Sequence, residues 1–355
     1  MNFNRELLDR LQVEFSGKRV LIIGELMHDY YTIGTASRIS PEAPVPVVNV
    51  SHVFTTLGGA GNVATNVVSL GGKARICTVA PPDISDENFL MSNATGIIND
   101  YNLLVKEDRR SLILKHRCVV YPYNQIVLRM DYETVDPIRK STEDELLNKI
   151  ESVLPETDVI VLSDYNKGLF TSGLIYGIKT LVGRYEKPVI VDPKPNHMSM
   201  FADFDIHVPN KNELYRFYYD NRMKLDIVDT SLESIGMAVR NNLRVDHLIV
   251  TAGRDGIYLF GRDSIDYIKA FRDKSVFNVT GAGDTVVAVL ALCNNSEVVN
   301  LKQAVELATV AAGVVISTPY TAVAEFDSLR NSLLNNNSFN SSSFDFSCGE
   351  KNVYH

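Results

Sequence analysis

Phe277-Asn278-Val279-Thr280-Gly281-Ala282-Gly283-Asp284-Thr285, running straight into Val286-Val287-Ala288-Val289-Leu290-Ala291-Leu292, is the stretch on which the fold turns. Two glycines lead into a segment that is apolar nearly all round, and a helix of that kind lies inside the molecule. Glycine lets backbone N–H groups come close to an oxyanion, and the first turn of a helix adds partial positive charge there. Gly281, Ala282 and Gly283 therefore read as an anion hole, with Asp284 placed to face a hydroxyl beside a bound phosphate. An isolated Gly-Ala-Gly is an ordinary turn; Thr-Gly-Ala-Gly-Asp ahead of a buried helix points to phosphate chemistry.

Outward from this segment, short β-branched runs alternate with helical patterns. Residues 19–24, 74–79, 158–162, 188–192 and 247–251 read as buried strands, each apolar, of strand length and mostly ending in polar or turn residues. Residues 61–70, 142–153, 210–219, 232–242, 284–294 and 301–316 read as helices. That alternation predicts an α/β fold, a mostly parallel sheet covered on both faces. Residues 45–54 and 112–130 break the rhythm as consecutive strands without helices between them. They predict a small antiparallel lid sheet, its strands within about 34–56 and 110–131, projecting from one domain of residues 1–334. Residues 335–355 are rich in Asn and Ser, too poor in apolar surface to offset the entropy of ordering, and are expected to form a mobile tail.

The bulk numbers set limits. The 355 residues are 45% hydrophobic and 22% charged, an ordinary globular composition. No apolar run approaches the ~20 residues that span a bilayer, and the first 18 residues mix charges with apolar residues at helical spacing. The expectation is a cytoplasmic protein with no membrane partner. Cys77, Cys118, Cys293 and Cys348 are scattered, without a CxxC pair, and read as reduced thiols. A net charge of −8 argues against nucleic acid as a partner, while leaving room for a local basic pocket.

The Thr280–Asp284 segment resembles the C-terminal signature of the ribokinase-like (PfkB-type) carbohydrate kinases, and other segments agree in order. Gly58-Gly59-Ala60-Gly61-Asn62, ahead of a helix ending at Gly71-Gly72, is similar to the family's N-terminal signature. Asn210-Lys211-Asn212-Glu213 is similar to its NxxE motif, and Thr251-Ala252-Gly253-Arg254-Asp255-Gly256 to its nucleotide-side turn. Each alone is weak; their ordered occurrence between residues 19 and 316 is specific. Three more segments resemble the subgroup that phosphorylates D-glycero-D-manno-heptose 7-phosphate at O1 in ADP-heptose and lipopolysaccharide precursor synthesis. They are Ser37 to Val47 (SRISPEAPVPV), Leu162 to Gly168 (LSDYNKG) and Val191-Asp192-Pro193-Lys194. The nucleotidyltransferase HxGH motif of bifunctional members does not occur, so the chain resembles the single-function version.

The resemblance implies a ribokinase-like three-layer sandwich with ATP and Mg²⁺ as cofactors. It implies Asp284 as catalytic base, and Asp29, Gly58, Gly59 and Asn62 against sugar hydroxyls. Arg129 and Lys167, with Arg38, Lys115, Arg117 and Lys194 as further cations, would meet an anionic sugar phosphate. Lys194, Asn210, Thr251, Gly253 and Gly256 would lie on the nucleotide side, with Glu213 acting on Mg²⁺ through water. A homodimer formed through the lid is expected by the same resemblance. Asn278 stands where the family carries Asp beside a monovalent-cation loop, so only weak potassium activation is expected. Glu25 replaces the subgroup's Asp after the first strand, the usual Gly-x-Asp becomes Val79-Ala80-Pro81-Pro82-Asp83, and the 317–322 loop lacks the expected glycine. Two other readings stay open: a kinase for a different sugar or sugar phosphate, and a catalytically weak sugar-binding or scaffolding protein.

Overall fold

The structure, a computed structural model, describes residues 3–85, 103–225, 227–271, 280–317 and 322–339. Strand β1 (Arg19–Gly24) lies mid-sheet and is buried on both faces. Val20 and Ile22 pack into one apolar cluster and Leu21 and Ile23 into the other. It pairs in parallel with β4 (Lys73–Ala80) on one side and β8 (Val159–Ser163) on the other. Beyond β4 lies β5 (Leu104–Lys106). Beyond β8 follow β9 (Val189–Asp192), β10 (Ile206–His207) and β11 (His247–Thr251), all parallel. An antiparallel hairpin, β12 (Ile257–Phe260) and β13 (Ile265–Ile268), closes that edge. Among the described residues this sheet has nine strands.

Helices cover both faces. On one lie α1 (Arg5–Gly17), α2 (Ala60–Ser69), α7 (Ala282–Leu292) and α8 (Leu301–Ile316). On the other lie α3 (Lys140–Val153), α4 (Ser172–Tyr185), α5 (Lys211–Leu225) and α6 (Leu232–Leu243). Residues Asp284 to Leu292 are all buried, as their composition demands, and full burial of each Val or Leu is worth about 1.5–3 kcal/mol. Helix starts follow local chemistry: Asn4 accepts from Leu7 N, Thr171 from Leu174 N, and Asn300 forms a capping box with Gln303. The C-terminal helix α9 (Phe326–Phe339) runs past residue 334, where the sequence reading placed the start of a mobile tail. Phe326, Leu329 and Leu333 are buried and anchor it, so its last turn continues through Asn-rich sequence; residues 340–355 lie outside the described residues.

A second sheet stands off this body. Strand β2 (Leu26–Ile39) and β3 (Pro46–Gly59) pair antiparallel from Leu26↔Gly59 to Ile39↔Pro46. Strand β6 (Leu114–Tyr121) pairs parallel with β2 and antiparallel with β7 (Gln125–Tyr132). Each hairpin is antiparallel, and the parallel joint arises because the chain visits α2, β4 and β5 between them. The first lid segment expected from sequence, about 34–56, takes in only the last six residues of β2 and stops three short of the end of β3. Tyr31, Ile33 and Val119 give the lid a small core of its own.

The strand order reverses between β1 and β8, because the chain leaves β1 for β4 on one side and returns through α3 to β8 on the other. In open α/β sheets that point, at the carboxyl ends of the strands, is where ligands bind. Here it holds Gly24-Glu25 and Ser163-Asp164-Tyr165, directly beneath the lid.

Candidate active site

Gly281 caps α7 with φ 84°, a left-handed conformation that glycine adopts without steric cost. The first helical bond is Thr285 N to Gly281 O, at 3.0 Å. The N–H groups of Ala282, Gly283 and Asp284 precede it and meet no acceptor among the described residues. Gly283 is exposed, and a Cβ there would meet nothing within 4 Å. The turn read as an anion hole is thus an open helix N-terminus, which suits a phosphate.

Asp284 is buried at the head of this helix, and both carboxylate oxygens are engaged. Asn62 Nδ2 donates to Oδ2 at 2.7 Å, and the Tyr165 hydroxyl donates to Oδ1 at 2.6 Å. Burial pushes Asp284 above the usual carboxylate range; the bonds from Asn62 and Tyr165 and the charge of Lys194 pull the other way. Asn66, one turn along α2, accepts from Thr285 Oγ1 at 3.1 Å and from Ala324 N at 3.0 Å. The Gly-Gly-Ala-Gly-Asn and Thr-Gly-Ala-Gly-Asp segments therefore dock on each other through a polar seam. Asn62, read from the sequence as a sugar contact, instead donates to the Asp284 carboxylate.

Most of the residues expected to face the sugar gather at the root of the lid. Arg117 Nη1 pairs with Asp29 Oδ1 at 2.7 Å, both side chains being buried. A Cβ on Gly58 would lie 2.8 Å from Asp29 Oδ2, and one on Gly59, at φ +60°, would lie 2.5 Å from Glu25 O. Glycine at both positions is what lets β3 pass this close. Arg129 is held by Asp131 at 2.6 and 2.7 Å, and Lys167 Nζ by Glu133 at 2.7 Å. Burial lowers the Lys115 pKa, and Arg129, Arg117 and Lys167 lower it further against the pull of Asp29. Four cations thus lie near one another, three of them paired to Asp29, Asp131 and Glu133. Arg38 is not among them: it is exposed nine residues along β2 from Asp29, roughly 30 Å at strand rise.

The residues expected on the nucleotide side meet at the ends of β9 and β11. Asn210 and Glu213 form a reciprocal cap on α5, Glu213 N donating to Asn210 Oδ1 at 2.9 Å and Asn210 N to Glu213 Oε2 at 2.8 Å. The NxxE motif so performs the ordinary duty of a helix start, with Glu213 Oε1 left to accept from Lys194 Nζ at 2.5 Å. A bridge pairs Asn210 with Thr251, and the turn that follows needs Gly253 at φ +57° and Gly256 at φ +91°. A Cβ on Gly256 would lie 2.2 Å from Ile268 O. Burial opposes the Lys194 charge, but Asp192 and Glu213 outweigh it and raise its pKa.

Several residues here were not assigned from the sequence. Glu25 is buried and accepts from the backbone N–H groups of Tyr165 (2.8 Å), Lys167 (2.9 Å) and Leu169 (3.3 Å). Burial first, then the charge of Asp164, pushes its pKa up to about 7. Asp164 accepts from Asn166 N and Lys194 N and faces His197 Nδ1 at 3.1 Å. That contact raises the His197 pKa against the opposing effect of its burial. Asp192 sits well above the usual range through burial and the charges of Glu213, Asp284 and Asp164, opposed by Lys194; its carboxylate takes no hydrogen bond among the described residues. Among the described residues no group of three or more His, Cys, Asp or Glu side chains is arranged to hold a metal ion by itself. The signals available in sequence were the LSDYNKG and Val-Asp-Pro-Lys segments, whose acidic and aromatic residues gain partners only across the fold. Asn278 lies outside the described residues, as do residues 318–321 of the 317–322 loop. Cys77, Cys118 and Cys293 are free thiols, and no helix among the described residues is long and apolar enough to cross a membrane.

Comparison with known proteins gives this geometry a context. The chain is 33% identical over 312 residues to the bifunctional protein HldE of Helicobacter acinonychis, and 34% identical over 301 residues to that of Sulfurimonas denitrificans. These matches cover 88% and 84% of the chain but only 65% and 60% of the relatives' own length. In structure it is similar to Arabidopsis thaliana ribokinase complexed with ribose and ATP, with TM-score 0.66 and 16% identity, over 89% of this chain and 98% of that one. It is also similar to Escherichia coli phosphofructokinase-2 in complex with potassium, with TM-score 0.68 and 16% identity, over 90% and 98% of the two chains. Residues 18–326 match the model of the pfkB family carbohydrate kinases, and the chain belongs to that family of phosphotransferases acting on sugar hydroxyls.

Proposed function

We propose that this protein is an ATP-dependent sugar-phosphate kinase that phosphorylates D-glycero-D-manno-heptose 7-phosphate at O1, giving the 1,7-bisphosphate for ADP-heptose synthesis in the cytoplasm. The observation that carries it is a buried carboxylate, Asp284, at the open N-terminus of a buried helix and beneath a lid whose root concentrates cations. Asp284 accepts the acceptor hydroxyl's proton as the hydroxyl attacks. The N–H groups of Ala282, Gly283 and Asp284 stabilise charge on the transferring group. ATP would supply the γ-phosphoryl group, and a bound Mg²⁺ would supply positive charge to offset that of the phosphates. Glu213 and Asp192 would hold waters of that cation, with Lys194 between them.

Asp29 accepts from sugar hydroxyls through whatever lone pairs Arg117 leaves, and the lid excludes water that would otherwise hydrolyse ATP. Lys115, Arg117, Arg129 and Lys167 favour a substrate that brings its own phosphate. The lid's outer residues Val53, Ile126 and Leu128 are each about half exposed, at 50–52%, and support pairing of two lids in a homodimer. An ADP-release assay across sugars and sugar phosphates, heptose and heptose 7-phosphate among them, tests the assignment. The heptose phosphate is expected to give the highest kcat/KM; equal values for it and for neutral heptose would refute the sugar-phosphate reading.

A further inference from the structure

Tyr165 is attached at three points to four different parts of the fold. Its backbone N–H donates to Glu25 Oε2 at 2.8 Å, just after β1. Lys194 Nζ, after β9, lies 5.1 Å from the centroid of its ring, and Lys115 Nζ, from lid strand β6, lies 5.2 Å from it. Its hydroxyl donates to Asp284 Oδ1 at 2.6 Å, a length typical of a bond to a charged acceptor. A tyrosine that merely filled space would not need its ring between two cations and its hydroxyl on the base.

We propose that Tyr165 is the positioning residue of the phosphoryl-transfer site, its hydroxyl orienting and electrostatically supporting Asp284 while Lys115 and Lys194 brace its ring from the sugar and nucleotide sides. The inference rests on Asp284 being the base. Each Asp284 oxygen carries two lone pairs, and Asn62 and Tyr165 take one from each oxygen. The remaining lone pairs are fixed in direction, so the acceptor hydroxyl meets a base that cannot rotate away. The Tyr165 bond also favours the ionised form of a carboxylate that burial disfavours. The charged groups bearing on Asp284 are Lys194, which supports ionisation, and Asp29, which opposes it, with Asp192 close enough to interact.

The test is Tyr165→Phe, which keeps the ring and its cation contacts and removes only the hydroxyl. The expected result is a kcat about tenfold lower, with both KM values within about twofold, since one hydrogen bond to a charged group is lost. The acid limb of the kcat/KM profile should move up by about one pH unit, because the ionised base has lost a donor. Site-specific 3-fluorotyrosine at 165 gives the opposite sign: a stronger donor moves the limb down without disturbing packing. A wild-type kcat and an unmoved limb in both proteins overturn the proposal. Asp284→Asn separates the two failures. If it is inactive while Tyr165→Phe behaves as wild type, only the role of Tyr165 falls; if it is active, the base assignment falls and takes this role with it.

Discussion

Replacing Asp284 with Asn removes the proposed proton acceptor and keeps nearly everything else. Loss of a general base costs about 10²–10⁴ in rate, roughly 3–5 kcal/mol of barrier. The hydrogen-bond pattern shows why the fold should survive. The carboxamide oxygen can accept from Asn62 Nδ2, now at 2.7 Å from Oδ2, and its NH₂ can donate to Tyr165, whose hydroxyl turns from donor to acceptor. The variant also relieves the burial of a charge, so its stability should equal wild type or exceed it by about 1 kcal/mol. Asp284→Ala differs: it leaves the buried Asn62 amide without an acceptor, costing about 1–3 kcal/mol. The anion hole is backbone, so nucleotide affinity should be kept in both variants. Steady-state kcat, nucleotide Kd and Tm measured side by side decide the matter. If the Asn variant keeps more than about a third of wild-type kcat, Asp284 is not the base.

Three other expectations follow from single contacts. The folded pKa of Glu25 lies above its unfolded value, so the native state holds the extra proton and loses stability as pH rises from about 4.5 to about 7; the loss amounts to roughly 3 kcal/mol. Glu25→Gln should lack that slope in denaturant unfolding at pH 5 to 8, and parallel curves for the two proteins would refute the assignment. Arg117→Met removes the buried guanidinium that pairs with Asp29 Oδ1 at 2.7 Å. It should destabilise by about 3–5 kcal/mol, most of it recovered in the Asp29→Asn, Arg117→Met double variant; a single variant as stable as wild type refutes this. Gly58→Ala sets a Cβ 2.8 Å from Asp29 Oδ2. The sugar KM should rise at least about tenfold while the nucleotide KM holds, and an unchanged sugar KM would show that the strand yields instead.

The anion turn was legible because its chemistry is local: two glycines, an acid and a buried helix within a dozen residues. The main strands were legible for a related reason, each being apolar on both faces over strand length. Strand β2 was not, since its outer part is exposed and polar and its inner part owes its pairing to β3 and β6. The hairpin β12–β13 alternates too briefly to announce itself. Partnerships across the fold were the least legible. Asn62 and Asp284 are 222 residues apart, and nothing in either segment says that one amide will sit on the other's carboxylate. Tyr165 lay inside a segment whose lysine drew attention, yet its role depends on Glu25, Lys115, Lys194 and Asp284, each from a different region. Glu213 was singled out for a water-mediated metal role, whereas its bonds to Asn210 and Lys194 show a helix cap and an ion pair serving at once.

The pairing of β2 with β3 also fixes how force travels. Strand β2 starts one residue after Glu25, and β3 ends at Gly59, where Ala60 N donates to Glu25 O at 3.1 Å and α2 begins. The ribbon is therefore rooted, without a loop, in the two segments that hold Tyr165 and Asn62 against Asp284. Its ladder is regular from Leu26 to Ile33 and shifts register at Ile33/Gly34 and again at Ala36/Arg38. A hydrogen-bonded ladder resists shear, whereas bulges bend. The inner eight residues of β2 lie on the regular part of that ladder, and its first shift falls at Gly34, where a Cβ would meet Asn49 O at 2.3 Å. The β2–β6 ladder runs without a shift from His28 to Thr35, so this second strand carries the stiffness past Gly34, and Asp29 and Arg117 both lie within it.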